Sequence, residues 1–478
     1  MEALIKDLIP RIFSLLIGGI MGILSFFAPN TYLSETAFAG RAWFDKAPSE
    51  NAAVKLGVLP TERQLLQAEN DVYAFFHFGM NTYTDTELGT GKEDPALFNP
   101  TALDTDQWVK TVADAGFTGA IITAKHHDGF CLWPSAYTEH SVKNSGYNGD
   151  VVGEFAASCR KYGIKFGVYL SPFDENAENF GQGDAYNDYY VAQLTELLTN
   201  YGEVFEVWWD GFITDEYKGK QTYDWNRWIA TVRQYQPDAS TAIGPPEPDV
   251  AWVGNESGSS GGNVSSVRYR NNKWIWARSE CDTSIHNGWF YHENESPLSL
   301  KRLKEIYYDS VAQNCGLLLN IPPSPAGGID ARDIQRIAEF GDFVRSVTAH
   351  PLTPTSITVR GKDADRARAI PQVITDDSTA VPFADDEYIV DIQLDSVQKI
   401  EHMVIREDVK NTGERIEHYT LYALYGGKYV QVGEGRAASN KGILKLPTKI
   451  FPIKSDRYRL VIDQAKAAPS LKFLGFYG

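Results

Sequence analysis

The stretch Glu206-Val207-Trp208-Trp209-Asp210-Gly211-Phe212 brings together a carboxylate, two indoles and a glycine at the end of an apolar run. An acid at the C-terminal end of a barrel strand sits where such folds do chemistry. Aromatic faces pack well on the apolar face of a sugar ring, and a glycine beside the acid lets a ligand approach the backbone closely. Taken alone, the same stretch also fits a buried strand whose Asp caps the next loop. Three more groups end predicted strands: Phe75-Phe76-His77-Phe78-Gly79, Lys125-His126-His127-Asp128-Gly129-Phe130 and Tyr169-Leu170-Ser171-Pro172. In a parallel barrel all of these converge on one rim. Imidazoles there serve as donors and acceptors for hydroxyl groups. His77, His126, His127 and Asp128 could also ligate a metal, but the chain has neither an HExxH motif nor a His-x-His pair, and no metal or cofactor is expected. His126 and His127 can share one target only if their strand has already ended.

Glycoside hydrolysis needs a second carboxyl group. Glu256, in Trp252-Val253-Gly254-Asn255-Glu256-Ser257-Gly258, opens a flexible glycine-bordered loop and is the preferred candidate. Glu247, Glu280 and Asp282 are rivals, each with a salt bridge or a loop cap as its ordinary role.

The elements that must position these groups follow from periodicity. Strand-like runs fall at residues 72–79, 119–125, 165–171, 204–210, 241–244, 250–254, 275–278 and 316–321. Amphipathic stretches lie at 105–115, 151–162, 186–200, 225–234 and 300–313, with one more helix at 330–347. Asp104 and Asp150 read as N-caps, and Gly116, Gly163 and Gly202 as helix stops. Eight strands alternating with helices predict an α/β fold, a (β/α)8-like barrel. After His350-Pro351 the texture changes to short alternating runs at 356–359, 388–394, 400–406, 419–423, 429–433, 442–446 and 458–462, which predict a C-terminal all-β, jelly-roll-like sandwich. The expected division is 1–39 a signal peptide or N-terminal hydrophobic segment, 40–350 the catalytic barrel and 351–478 the sandwich.

Lys6 and Arg11 precede an uncharged run over residues 12–28, and Ala37-Phe38-Ala39 resembles a cleavage site. This predicts a secreted or periplasmic protein, touching a membrane only if the segment stays uncleaved. The formal net charge of -17 over 478 residues argues against nucleic-acid partners, which demand an excess of Lys and Arg. Aromatic residues make up 13% of the chain, a composition suited to carbohydrate surfaces. Cys131, Cys159, Cys281 and Cys315 are too scattered for a zinc site or a disulfide framework and read as buried small hydrophobes.

Over residues 60–345 the chain resembles the α-L-fucosidases of glycoside hydrolase family 29. The resemblance rests on His77-Phe78-Gly79, His126-His127-Asp128-Gly129-Phe130, Trp208-Trp209-Asp210-Gly211, Gly288-Trp289-Phe290-Tyr291 and Leu318-Leu319-Asn320-Ile321-Pro322-Pro323, in that order. It implies a retaining, exo-acting hydrolase of fucosylated oligosaccharides, with Asp210 as nucleophile and Glu256 as acid/base. The Trp-Val-Gly-Asn-Glu-x-Gly pattern is similar to the subset that prefers α-1,3/4-linked fucose. His77, His126, His127, Tyr169 and Trp208 correspond to fucose-binding positions. Phe75, Trp289 and Phe290 join them, and an apolar pocket from Phe75, Tyr169, Trp208 and Phe290 would suit the sugar's methyl group. Leu88 departs from the pattern, which has Glu-Trp-Gly at the first loop. The other readings are a catalytically silent sugar-binding protein on the same fold, a broad-specificity α-L-fucosidase and a metal-dependent hydrolase.

Overall fold

The computed structural model describes residues 32–34, 38, 55–216, 218–262, 264–372, 374, 380–447 and 453–478. Eight parallel strands close into a barrel: β1 Val72–Phe76, β2 Gly119–Lys125, β3 Lys165–Leu170, β4 Glu206–Trp209, β5 Ser240–Ile243, β6 Val250–Trp252, β7 Arg278–Ser284 and β8 Gly316–Asn320. Pairing of Glu280 with Trp252 on one side and with Gly316 on the other carries β7 across the closure.

Period-two alternation decides which side chains enter the barrel. Tyr73, Phe75, Tyr169, Trp208 and Leu318 form an inner cluster. Their neighbours Ala74, Phe76, Val168, Val207, Trp209, Leu317 and Leu319 join the outer core beneath the helices. Continuing the same alternation past the strand ends puts His77 above Phe75, and Asp210 above Trp208, on the inner side. The strands read as near-continuous apolar runs because both faces are covered.

The outer helices are α1 Thr105–Asp114, α2 Val151–Tyr162, α3 Asp184–Asn200, α4 Trp225–Tyr235, α5 Leu300–Asp309 and α6 Ala331–Ser346. The expected caps form: Asp104 accepts from Gln107 N at 2.9 Å and Asp150 from Gly153 N at 2.8 Å. Residues 244–249, with prolines at 245, 246 and 248, pass from β5 to β6 too briefly for a helix. A surface hairpin, Val267–Arg270 against Lys273–Trp276, stands in place of a helix between β6 and β7.

One predicted strand is misplaced. Residues 275 and 276 belong to that hairpin, and the barrel strand is Arg278–Ser284 instead. Its polar sequence conceals it, yet every residue in it is buried. Arg278 plugs the N-terminal end of the barrel, donating to the carbonyls of Ala68, Asn70, Asn314 and Cys315 and to Asp71.

C-terminal to the barrel, a seven-stranded antiparallel sheet faces a four-stranded one over a separate apolar core. All seven predicted runs there are strands; Arg368–Ile370, Val381–Pro382 and Ser470–Tyr477 are further strands that no predicted run covers. The sandwich docks on the barrel through Tyr308 Oη with His402 Nε2 at 2.9 Å and Asn440 Nδ2 with Ala68 O at 2.9 Å. The predicted leader over 1–39 lies mostly outside the described residues. Its described part packs on the sandwich: Tyr32–Leu33 pairs with Val430 and Tyr429, and Tyr388 Oη donates to the Phe38 carbonyl. No helix among the described residues is long and apolar enough to cross a membrane.

Candidate active site

Asp210 lies just past β4, with a partly exposed side chain. Tyr169 Oη donates to its Oδ2 at 3.1 Å, and Phe212 N donates to its Oδ1 at 2.8 Å. Burial and then the Asp210 charge push the Tyr169 phenol well above its usual range, so it stays a donor. Phe212 also stacks on His127, with centroids 4.8 Å apart. That ring forms a wall the sequence did not mark out.

The three histidines are neutral and fixed, each by a different partner. β2 ends at Lys125, so His126 and His127 are free to turn together, and their centroids are 4.1 Å apart. His77 Nδ1 lies 2.9 Å from Asn320 Oδ1, and Asn320 spends its amide hydrogens on Ser284 Oγ and the Trp289 carbonyl. His77 therefore donates from Nδ1 and keeps Nε2 as an acceptor. Ser171 Oγ gives its hydrogen to the Phe173 carbonyl, so it accepts from His127 Nδ1 at 2.7 Å. His127 Nε2 is then also an acceptor, 3.7 Å from Asp210 Oδ2. The Asn81 amide nitrogen lies 3.3 Å from His126 Nδ1, which makes His126 Nε2 a donor. Two acceptors and one donor on a single rim suit hydroxyl groups, which both give and accept. Burial holds all three imidazoles below their ordinary range, His77 down to about 3.

That shift has a testable consequence. His77 is depressed in the folded state, so its contribution to stability is fully present above the unfolded value of about 6.5 and is lost as pH falls toward 3, by about 1.4 kcal/mol per pH unit. Asp128, pushed up to about 8 by burial, has the opposite sign. The measurement must therefore be a difference. The stability gap between wild type and His77→Gln in urea titrations should narrow by about 1–2 kcal/mol from pH 7 to pH 5. A constant gap would show that His77 is not a buried neutral base.

Beneath these groups, Lys125 and Asp174 form a fully buried ion pair of 2.7 Å, with Gln193 Oε1 at 2.9 Å from the ammonium. It anchors the loop that carries His126 and His127.

Glu256 is exposed on the loop after β6, where Trp289 Nε1 donates to its Oε2 at 3.2 Å. Asn255 folds the loop by accepting from Ser257 N at 3.1 Å and donating to Ser259 O at 3.1 Å. Gly258 has φ +70, and a Cβ there would meet Ile306 Cγ2 at 2.7 Å, so the loop needs glycine. Trp289 is itself held: its backbone N–H donates to Glu87 Oε2 at 3.1 Å, and its ring centroid lies 5.0 Å from that of His77. Glu87 thus reaches the site from the first loop, while Leu88 beside it points outward, 40% exposed.

Asp210 and Glu256 are joined through one aromatic cluster. Phe75 contacts Tyr169 at 5.8 Å, Trp208 at 5.3 Å and Trp289 at 6.4 Å. Phe290 is buried edge-on to His77 at 5.4 Å and to His126 at 5.0 Å. All ten predicted site residues, including Tyr169 and Trp208, thus belong to one assembly. The rival carboxyls are held by other partners. Glu247 pairs with Lys273 at 2.8 Å. Asp282 is buried, accepts from Trp252 Nε1 at 2.7 Å and is pushed well up, chiefly by burial. Glu280 lies inside the barrel. No three His, Cys, Asp or Glu residues among those described are grouped to hold a metal ion. A separate polar cavity of about 440 Å³, lined by Glu93, Asp94, Glu139 and His140 among others, includes neither Asp210 nor Glu256.

Residues 61–348 match the family model described as alpha-L-fucosidase. The chain belongs to the α-L-fucosidase family, family 29 of the glycoside hydrolases. It is 36% identical over 447 residues to Alpha-L-fucosidase 1 of Arabidopsis thaliana, covering 88% of this chain and 87% of that protein. A glycoside hydrolase 29 family member from an unknown rumen bacterium aligns with a TM-score of 0.77 and 35% identity, over 88% of this chain and 78% of that one. A GH29 fucosidase of Ruminococcus gnavus in complex with fucose aligns with a TM-score of 0.78 and 28% identity, over 90% and 96%. These family relationships make the protein a glycosidase.

Proposed function

We propose that the protein is a retaining, exo-acting α-L-fucosidase that removes α-1,3/4-linked fucose from oligosaccharides or glycoconjugates by double displacement. The observation that carries this reading is Asp210, held by Tyr169 Oη at 3.1 Å at the mouth of a barrel whose rim presents three neutral histidines. In the first step an Asp210 oxygen attacks the anomeric carbon. The glycosidic bond breaks as Glu256 gives its proton to the leaving oxygen. In the second step Glu256 takes a proton from water, whose oxygen displaces Asp210 and restores the original configuration.

The pocket's composition supports fucose as the ring accepted. Phe75, Phe290 and Trp208 give an apolar lining, on which a buried methyl group is worth about 0.8 kcal/mol. The remainder of the selectivity falls to His77, His126 and His127 on the ring hydroxyls. Preference for α-1,3/4 linkages rests on the Trp252–Gly258 pattern. Export by the hydrophobic N-terminal run, to the periplasm or outside the cell, belongs to the same proposal.

The test is fucose release from a Lewis-type trisaccharide alongside α-1,2- and α-1,6-linked disaccharides. Release from the α-1,3/4 substrate alone is expected. Equal release from all would make the enzyme broad in specificity, and release from none would leave only a sugar-binding protein. Loss of activity on exhaustive chelation would turn the reading to a metal-dependent hydrolase.

A further inference from the structure

Glu280 is fully buried in the barrel interior, one layer below the pocket. Its Oε1 accepts from Trp208 Nε1 at 2.8 Å, and its Oε2 accepts from Tyr73 Oη. Trp208 stacks on Tyr169 with centroids 5.4 Å apart and planes 25° apart. Tyr169 in turn donates to Asp210 at 3.1 Å. An unbroken path of contacts therefore runs from a carboxyl in the barrel floor to the carboxylate at its mouth.

We propose that Glu280 is a positioning residue for the fucoside pocket: it fixes the Trp208 indole and, through Trp208, the Tyr169 hydroxyl that meets Asp210. This rests on the fucosidase reading given above. A buried carboxylate is costly, and a barrel interior filled with apolar side chains would hold together at least as well. Its geometric effect is what sets it apart. Without an acceptor at Oε1 the Trp208 N–H would be stranded in the core, and the indole would turn to find another.

Glu206 completes the arrangement. It lies one layer below Trp208 on the same strand, accepting from Gln67 Nε2 at 3.0 Å and Ser240 Oγ at 3.2 Å. Burial, and then the charge on Glu280, push Glu206 well above its ordinary range. Burial also raises Glu280. The Tyr73 and Trp208 donors aimed at Glu280 act the other way and favour its charged form.

The test is a double-mutant cycle on kcat/KM for an aryl α-L-fucoside, with Glu280→Gln, Trp208→Phe and the double variant. Glu280→Gln exchanges a charge-assisted acceptor for a weaker neutral one and puts an NH2 group on one side, against either the Trp208 N–H or the Tyr73 hydroxyl. In wild type it should lower kcat/KM about tenfold, because misplacement of a reacting group by about 1 Å can cost up to a hundredfold. In the Trp208→Phe background, which has no indole N–H to hold, the same change should cost less than about threefold. Equal losses in both backgrounds would reduce Glu280 to a general structural residue and overturn the assignment. Where Glu280→Gln does not fold, Glu280→Asp, a carboxylate too short to hold the Trp208 N–H in place, takes its position in the cycle: a loss at least about threefold greater in wild type than in the Trp208→Phe background upholds the assignment, and any smaller difference overturns it. An inactive wild type would sink the fucosidase reading and this assignment together; an active wild type with an additive cycle would sink only this one.

Discussion

Asp210→Ala abolishes turnover of an aryl α-L-fucoside, with kcat lower by about 10,000-fold or more, while free fucose still binds. Loss on this scale follows from the nucleophile's role, since without it the first displacement has no attacking group. No replacement is at hand: Glu280 and Asp282 are buried behind aromatic partners, and Glu247 is paired with Lys273. Binding survives because the hydroxyl partners have their own supports. His77 rests on Asn320, His127 on Ser171 and His126 on Asn81, and none of these bonds passes through Asp210. The fold tolerates the change because the Asp210 side chain is 27% exposed, so water can replace it as acceptor for Tyr169 Oη and Phe212 N. Stopped assays for kcat and calorimetry with fucose check the two halves. Activity within tenfold of wild type would remove Asp210 from the chemistry, and loss of fucose binding would mean that the pocket had collapsed.

Glu256→Ala produces a loss that depends on the leaving group. General acid catalysis contributes about 100- to 10,000-fold where the departing oxygen needs a proton. An oligosaccharide leaving group needs one, and its hydrolysis should fall by about 1,000-fold. A dinitrophenyl fucoside expels a stable anion and should form the fucosyl-enzyme nearly as fast as before. Breakdown of that intermediate then becomes limiting, because no base activates water. Azide, which needs no base, restores the rate and yields the α-configured fucosyl azide. The exposed position of Glu256 and its single described side-chain bond, from Trp289, leave the loop intact after truncation. A uniform loss across leaving groups, with no azide product, would shift the acid/base role to another carboxyl, Asp282 first.

The sequence disclosed the barrel wherever strands were apolar and helices carried caps. β1 to β4 and β8 are runs that only a doubly covered sheet produces, and Asp104 and Asp150 cap α1 and α2 as read. β7 was hidden because Arg278, Glu280 and Asp282 make it look like a loop, and their partners lie far away in the chain. Ser470–Tyr477 was missed because its strand pairs only with distant segments, including His402–Glu407.

The candidate site divides in the same way. Aromatics, histidines and acids at strand ends were legible from type and position. The groups that fix their tautomers and positions are not: Asn320, Ser171, Asn81 and Glu87 are ordinary polar residues whose importance lies in a bond to one ring or backbone atom. Asn320 at least stood within a recognised block, directly after Leu318-Leu319. Phe212, two residues beyond Asp210, could have been suspected from its place in the opening motif. Glu280 reads from the sequence as a candidate acid, whereas its place in β7 and its full burial put it inside the barrel.

The central claim is that Asp210 becomes covalently bonded to the sugar. The direct measurement is mass spectrometry of peptides after reaction with a 2-deoxy-2-fluoro-fucosyl fluoride, which forms the intermediate but slows its breakdown. The account predicts one fluorofucosyl group, on the peptide containing Asp210. A label on any other side chain, or rapid turnover of the reagent with inversion at the anomeric carbon, would contradict it.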